Sequence, residues 1–562
     1  MSMFNPHMSV LEASMQVGEG SWPKASSHPP TLRPAHILLS SSNLIHPNAE
    51  PVDPKIYGGF LEHLGRCIYG GLVDDPKDPS PAGVLEDKKE AGVLGEGELA
   101  FRKDVMAVLG KEGELEIPLL RWPGGNFVSN YHWQDGVGPF ADRPKRVELA
   151  WHGVESNLFG TDEFIRYCRE TGCEPYICLN MGTGSYEEAL AWLEYCNGTE
   201  DTTWANLRRK HTGVDEPHNV KYWGLGNEMF GPWQIGYLNP TAYSVKAKMW
   251  AHGLKLLDPT ILLVSCGCTG ATDWDREVLA TLLPFVDMHS IHNYTMFGHN
   301  PDIAYESNVF SPAGSERQIE ICKALIDLTN HDRSQQKVPA RNVKIAFDEW
   351  NVWDEKKATS KNGLTQVYDY ADALGFIAWL NVLVRQHKDL GLACLAQSVN
   401  VLSPLLTTAD KVLRQTTFYP LQLFSKYMKG GQLLQLPSFP DRYIGPTSPV
   451  WIQQNELQPA YIDAVAMIID DSSIRISILN RHPSADWKAK FSFADFEVSK
   501  LDIHELYSDN MGAANTFEKP DLVVPSVKSH DAAAWSKMAE EGIVVRKHSW
   551  ILMMFQGKER GQ

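Results

Sequence analysis

Along this chain, short apolar runs alternate with longer stretches in which apolar positions recur every three or four residues. The runs lie at residues 56–61, 117–121, 176–179, 222–225, 261–266, 287–292, 343–347 and 392–396. They have the length of buried strands. The stretches between them, including 163–170, 186–196, 241–257, 316–329 and 368–386, carry the period of amphipathic helices. Eight such alternations over roughly 360 residues predict an α/β fold, a (β/α)8 barrel with long loops. A doubly wound open sheet is the competing architecture, but no GxGxxG follows the first run.

The pattern changes after about residue 420. Residues 460–469, 473–479, 488–493 and 543–554 are strand-like, and Ile474, Ile476 and Ile478 alternate with polar neighbours. Turn-rich sequence separates them, which predicts an antiparallel β-sandwich of jelly-roll type. A short strand-like piece at 35–40 precedes the barrel and is expected to join that sandwich. The expected organisation is a loose tail over 1–30, an N-terminal strand segment over 31–52, a catalytic barrel over 53–420 and the sandwich over 421–562.

Composition narrows the function. With 43% hydrophobic and 22% charged residues the chain is an ordinary globular protein, and its 562 residues exceed what one core accommodates. The net charge of -17 excludes the basic face that nucleic acid binding requires. No apolar run is long enough to span a membrane. The first 30 residues lack a basic region followed by an apolar one, so the expected location is cytoplasmic, although a secreted chain trimmed at its start would read the same way. Nine Cys, all between Cys67 and Cys394, read as reduced thiols, and Cys266-Gly267-Cys268 is too isolated to hold zinc. On the same reading, the sequons at Asn197 and Asn293 carry no meaning.

The candidate chemistry lies at the strand ends. In a barrel the C-terminal ends of the strands form the rim of the site. Those ends carry Glu62 and His63; Arg121, Gly124, Gly125 and Asn126; Asn180; Asn227 and Glu228; His292 and Tyr294; Asp348 and Glu349; and Gln397. This ring is rich in carboxylates and amides and contains no His-x-His of the metal-dependent hydrolases. Neither metal nor cofactor is expected. Glu228 and Glu349 end strands four and seven, which face one another across an eight-strand mouth. Two carboxylates about 5 to 5.5 Å apart flank a glycosidic bond in a retaining hydrolase.

The stretches IYGGFLEHLGRCIYGGL (56–72), RWPGGNF (121–127), GLGNEMFGPWQIG (224–236), HNY (292–294), FDEWNVW (347–353) and AQSVNV (396–401) resemble glycoside hydrolase family 51. That family consists mainly of α-L-arabinofuranosidases, with some endoglucanases. The likeness runs in order from about residue 34 to beyond 420. It implies a retaining barrel with a sandwich that includes an N-terminal strand. It assigns Glu228 as acid/base and Glu349 as nucleophile. It implies that Glu62, Arg121, Asn126, Asn227, Tyr294 and Gln397 bind arabinofuranose, that Trp353 walls the site and that His292 supports the acid/base. Arabinose-containing oligo- and polysaccharides become the expected substrates, and a homo-oligomer the expected assembly.

Some readings stay open at this level. Trp122 stands where many members carry Tyr, and the loops at 139–160, 198–220 and 295–314 depart from the family pattern, which leaves polymer preference unassigned. Glu62 could pair with Arg121, Asp348 reads as structural, and Trp133, Trp151, Trp233 and Trp350 read equally as packing or as sugar platforms. The alternatives are an endo-β-1,4-glucanase or xylanase on the same scaffold and a non-catalytic carbohydrate-binding protein.

Overall fold

The structure is a computed structural model, which describes residues 28–73, 99–298, 301–445 and 457–559. Most of the expected tail, residues 1–27, lies outside the described residues.

Eight parallel strands close into a barrel in chain order. They are Gly58–Phe60, Leu119–Trp122, Glu174–Cys178, Tyr222–Leu225, Leu262–Ser265, Met288–Thr295, Lys344–Val352 and Leu390–Leu395, and the last pairs back onto the first. Helices such as Tyr186–Asn197, Pro240–Leu257 and Tyr370–Arg385 form the outer ring, and Ser185, Asn239 and Asp369 cap their N-termini through side-chain oxygens. Inside the barrel Phe60, Leu119, Tyr176, Tyr222, Val264, Met288, Ala346 and Leu392 pack into a separate apolar plug. That plug is the floor on which the polar site is built.

Three strands differ from expectation, the sixth by running on to Thr295. The first is shorter, because Pro54 with Asp53 as its cap turns residues Pro54–Tyr57 into a 3-10 helix. The two glycines that follow are required by packing: a Cβ on Gly58 would stand 2.7 Å from the Ala393 carbonyl, and one on Gly59 2.4 Å from Ser398 Oγ. The seventh strand is longer and runs through Asp348, Glu349 and Asn351. Its register on strand six shifts between Ala346 and Glu349, a bulge of the kind that re-aims side chains beside active sites.

The C-terminal region holds a six-stranded antiparallel sheet built from Gln432–Leu434, Ile462–Asp470, Ser473–Asn480, Ser549–Glu559, Phe496–Leu506 and Ser526–Asp531. A second sheet joins Ala35–Leu39, Trp487–Phe493 and Ile543–Val545, so the N-terminal strand does enter this region, pairing in parallel with Trp487–Phe493. The run expected as one strand over 543–554 is two, because the chain leaves the small sheet after Val545 and re-enters the large one at Ser549. The division expected at residue 420 falls inside helix Phe418–Tyr427, which packs on helix Tyr370–Arg385 of the barrel. Arg385 ties the two parts together, paired with Glu316 at 2.8 Å and with Asp463 of the sandwich at 2.7 Å. Among the described residues no helix is long and apolar enough to cross a membrane, and all nine cysteines are free thiols.

Candidate active site

At the C-terminal mouth of the barrel lies a cavity of about 480 Å³. Its lining includes Glu62, Asn126, Glu228, His292, Tyr294, Glu349, Trp353 and Gln397, so residues spread over 335 positions of sequence share one surface.

Glu349 is held from two sides. Its Oε1 accepts from Arg121 at 2.7 Å and its Oε2 from the Tyr294 hydroxyl at 2.8 Å. Burial and the Glu349 charge push the Tyr294 phenol well above its ordinary range, so it stays a donor. Glu228 stands opposite, its Oε1 3.1 Å from His292 Nδ1 and its Oε2 accepting from the Trp233 indole at 2.7 Å. Its backbone lies in the left-handed region at φ 43°, a conformation that costs a non-glycine residue about 1 kcal/mol or more. Strain of this kind persists where the surrounding contacts fix a residue for use. One oxygen of Glu228, one of Glu349 and a ring nitrogen of His292 all lie within 4.8 Å of one another.

That donor set has the makings of a cation site, but the imidazole already carries the charge. Burial alone would strip the proton from His292, yet the charges of Glu349, Asp348 and Glu228 around it hold its pKa at about 10. Its Nε2 lies 3.2 Å from Asp348 Oδ1, within ion-pair reach but off the line of a hydrogen bond. A metal ion would have to displace this proton first.

Asp348 is the structural carboxylate. It accepts from Tyr176 at 2.7 Å and from Ser290, and its Oδ2 lies 3.6 Å from Arg121 Nε. Burial works against its charge, but Arg121 and His292 outweigh burial and hold the carboxyl well below the usual carboxylate range.

Glu62 is not paired with Arg121. Its Oε1 accepts from the Phe127 backbone and from the Trp151 indole at 3.0 Å, and its Oε2 from Gln397 at 2.9 Å. Burial is the main reason its pKa rises to about 7; the nearby Glu349 charge adds to the rise, and the Phe127 and Trp151 donors oppose it. Gly124 and Gly125 let the backbone pass close by. A Cβ on Gly124 would press to 2.6 Å on the Glu62 side chain, and one on Gly125 would stand 3.1 Å from Glu349 Oε1.

The other sequence candidates sort by depth. Trp353 packs edge-on to Tyr294 with ring centroids 5.4 Å apart and bonds Ala358 O through its indole, which places it as a wall. Arg121, expected to touch sugar, sits one layer lower, 1% exposed, and spends its guanidinium on Glu349, the Asp348 carbonyl and Asn227 Oδ1. Asn227 keeps its Nδ2 without a hydrogen-bond partner among the described residues, a buried donor that, like Glu349 Oε1, lies beside Gly125. Two rim residues are away from the cavity. Asn180 bonds the Tyr131 carbonyl and its own turn at Gly182 and Thr183, and His63 bridges Glu155 and the Trp122 indole.

Sequence reasoning left two functional indoles unsorted. Trp233 reaches Glu228, and Trp151, at the tip of the hairpin formed by Arg146–Glu148 and Gly153–Glu155, reaches Glu62. The Glu148 carboxylate shapes that tip by accepting the backbone N–H groups of Ala150 and Trp151. Trp233 could have been found from its place five residues after Glu228; Trp151 carries no comparable signal. Trp133 and Trp350 are core residues, both about 1% exposed or less. Phe230, inside the 224–236 stretch, lines the cavity, as do Phe297, Thr269 and Thr272, which lie in none of the six stretches.

Comparison with known proteins agrees with this geometry. Residues 113–308 match the α-L-arabinofuranosidase 1 domain, and residues 348–549 match the α-L-arabinofuranosidase C-terminal domain. The α-L-arabinofuranosidase C of Emericella nidulans is 44% identical over 91% of this chain and 97% of its own. The intracellular exo-α-(1→5)-L-arabinofuranosidase of Halalkalibacterium halodurans is 34% identical, covering 83% of this chain and 89% of its own. Among solved structures, the thermostable GH51 α-L-arabinofuranosidase from Thermotoga petrophila superposes with a TM-score of 0.77 at 34% identity, over 92% of this chain and 99% of its own. A family that covers both parts of the chain, with its paired carboxylates at one barrel mouth, is thereby established: this chain belongs to the α-L-arabinofuranosidases of glycoside hydrolase family 51.

Proposed function

We propose that this chain removes terminal, non-reducing α-L-arabinofuranosyl residues from arabino-oligosaccharides, arabinan or arabinoxylan, with retention, through Glu349 as nucleophile and Glu228 as acid/base. The observation that carries this reading is the close approach of the two carboxylates, an oxygen of each within 4.8 Å, inside one cavity. Retaining glycosidases hold their carboxyl groups about 5 to 5.5 Å apart, whereas inverting ones leave about 6.5 to 9.5 Å for a water.

In the first step Glu349 attacks the anomeric carbon while Glu228 protonates the departing oxygen. Arg121 and Tyr294 each bind one oxygen of Glu349, which orients the attacking carboxylate. Glu349 is then held as the arabinosyl ester, and Glu228, having given its proton to the leaving oxygen, is a carboxylate. Glu228 then takes a proton from the water that releases arabinose. In this reading Asn227, whose Nδ2 has no hydrogen-bond partner among the described residues, bonds a sugar hydroxyl from below the cavity wall, and Glu62, fixed by Gln397, accepts from another. Cytoplasmic action is part of the proposal, supported by the bacterial relative named as intracellular.

The test is a panel of aryl α-L-arabinofuranoside, β-D-xylopyranoside and β-D-glucoside, with the anomer of the first-formed product read by NMR. Release from the furanoside alone, with the α-anomer formed first, supports the reading. Silence on the furanoside together with cleavage of β-glucan chains overturns it in favour of an endo-acting glucanase.

The pH profile offers a second check. Replacing Trp151 with Phe removes an indole donor that favours the ionised form of Glu62. The Glu62 pKa is expected to climb from about 7 by roughly half a unit to one unit. The acid limb of kcat/KM for the furanoside then moves to higher pH by the same amount, and an unmoved limb removes Glu62 from substrate binding.

A further inference from the structure

A second cavity, of about 570 Å³, lies on the opposite face of the barrel. Lys344 begins the strand that carries Glu349 farther along, so this cavity sits at the N-terminal floor and shares no lining residue with the catalytic one. It is roofed by residues 45–53 and walled by Lys344, His387 and Lys388. His387 is only 7% exposed, yet its ring has no hydrogen-bond partner among the described residues, and it faces the open space. Lys388 is exposed at the rim, and its ammonium has no ion pair among the described residues.

The charges around the ring are of one sign. Burial lowers the His387 pKa to about 4, and the positive charges of His46, Lys344 and Lys388 lower it with burial. Acids share the cavity, since Glu50 and Asp53 line it, but none of them acts on the ring. Asp53 is engaged by Lys55 at 2.5 Å; burial lowers the Lys344 pKa, Lys323 and Lys388 add to this, Asp389 and Glu50 oppose it, and the ammonium donates to the Lys388 carbonyl. A buried imidazole without a hydrogen-bond partner among the described residues, facing open space beside two lysine side chains, suits a ligand of negative charge.

We propose that this floor cavity binds a small oxyanion of the phosphate or sulfate class, held by Lys344 and Lys388 and by His387 in its protonated form. An anion placed there cancels the repulsion that keeps the ring neutral, so binding carries a proton with it. The sign follows from linkage. In the empty site the ring is neutral above about pH 4; with an anion bound it returns towards its ordinary value of about 6.5. Between these limits binding tightens as pH falls, by about tenfold from pH 7.5 to 5.5 for full restoration.

Isothermal titration of the full chain with sulfate, whose charge is constant across this range, tests the proposal, with inorganic phosphate as a second probe and chloride as the control. Running pH 5.5 in two buffers of different ionisation enthalpy reads the proton uptake. Saturable one-to-one binding that tightens at low pH with proton uptake is expected. In His387→Gln the pH dependence and the uptake vanish, and in Lys344→Gln affinity falls severalfold. Both variants should keep the wild-type rate on the furanoside without added anion. The absence of saturable heat at both pH values overturns the proposal, as does binding and proton uptake unchanged in both variants.

Discussion

Replacing Glu349 with Gln is expected to lower kcat on an aryl α-L-arabinofuranoside by about 10⁴-fold or more, with no burst of the aryl leaving group. The magnitude reflects what is lost, since an amide cannot form the covalent ester and the other carboxylates lining the cavity, Glu62 and Glu228, are held by partners of their own. Asp348 is the nearest substitute by sequence, but it is tied to Tyr176, Ser290 and Arg121 below the surface of the cavity. The variant should nevertheless fold. Gln has the shape of Glu, its carbonyl oxygen can accept from Arg121, and its amide can donate to the Tyr294 oxygen. The buried Arg121 keeps Asp348 as counter-charge. Unchanged near-UV circular dichroism and a melting temperature within a few degrees of wild type would separate lost chemistry from lost structure. Activity within tenfold of wild type would remove Glu349 from the nucleophile's role.

The same contacts explain why much of the site was legible in the sequence. A strand covered on both faces by the plug and by helices must be apolar throughout, so a Glu or Asn at its end stands out. Tyr222–Leu225 followed by Asn227 and Glu228 is the clearest case. Where the strand itself turns polar, the signal fails. The seventh strand continues through Asp348, Glu349 and Asn351 because Arg121, Tyr176 and the Ala396 carbonyl satisfy them, and those partners are remote in sequence. Depth was equally hidden. An Arg at a strand end can extend into the cavity or fold beneath it, and only the positions of Glu349 and Asn227 decide that Arg121 does the latter.

In the sandwich the unread elements had physical causes of their own. Phe496–Leu506 alternates apolar and polar positions on either side of Ser499 and Lys500, but a bulge between Val498 and Lys500 breaks the period, so Phe496 and Val498 fall out of step with Leu501 and Ile503. Ser526–Asp531 is an edge strand with nearly every residue exposed, so it has no buried face to announce it. Trp151 shows the limit from another direction. Its indole partner, Glu62, is 89 residues away, and nothing local distinguishes it from a packing residue.

Glu228→Ala is expected to divide substrates by their leaving groups. A natural glycoside leaves as a poorly stabilised alkoxide and needs its proton in the transition state, so its kcat/KM should fall by about 10³-fold. An activated aryl group departs without that help, and its kcat/KM should fall by roughly tenfold or less. Its kcat falls further, because release of the arabinosyl ester requires the same residue as a base, and the ester accumulates as a burst. Removing the carboxylate also opens space beside Trp233 and His292, both of which lose an acceptor. A small anionic nucleophile that needs no deprotonation can use that space. Added azide should therefore restore turnover of the aryl substrate and yield the α-configured arabinofuranosyl azide, since attack on the ester inverts once more. That product would place Glu228 on the leaving-group side of the sugar and Glu349 on the other. Equal losses on both substrate types, or no response to azide, would leave Glu228 as a binding residue and require another acid. Among the described residues lining the cavity only Glu62 is left for that part, a carboxyl with a pKa of about 7 that is already bound by Gln397 and Trp151.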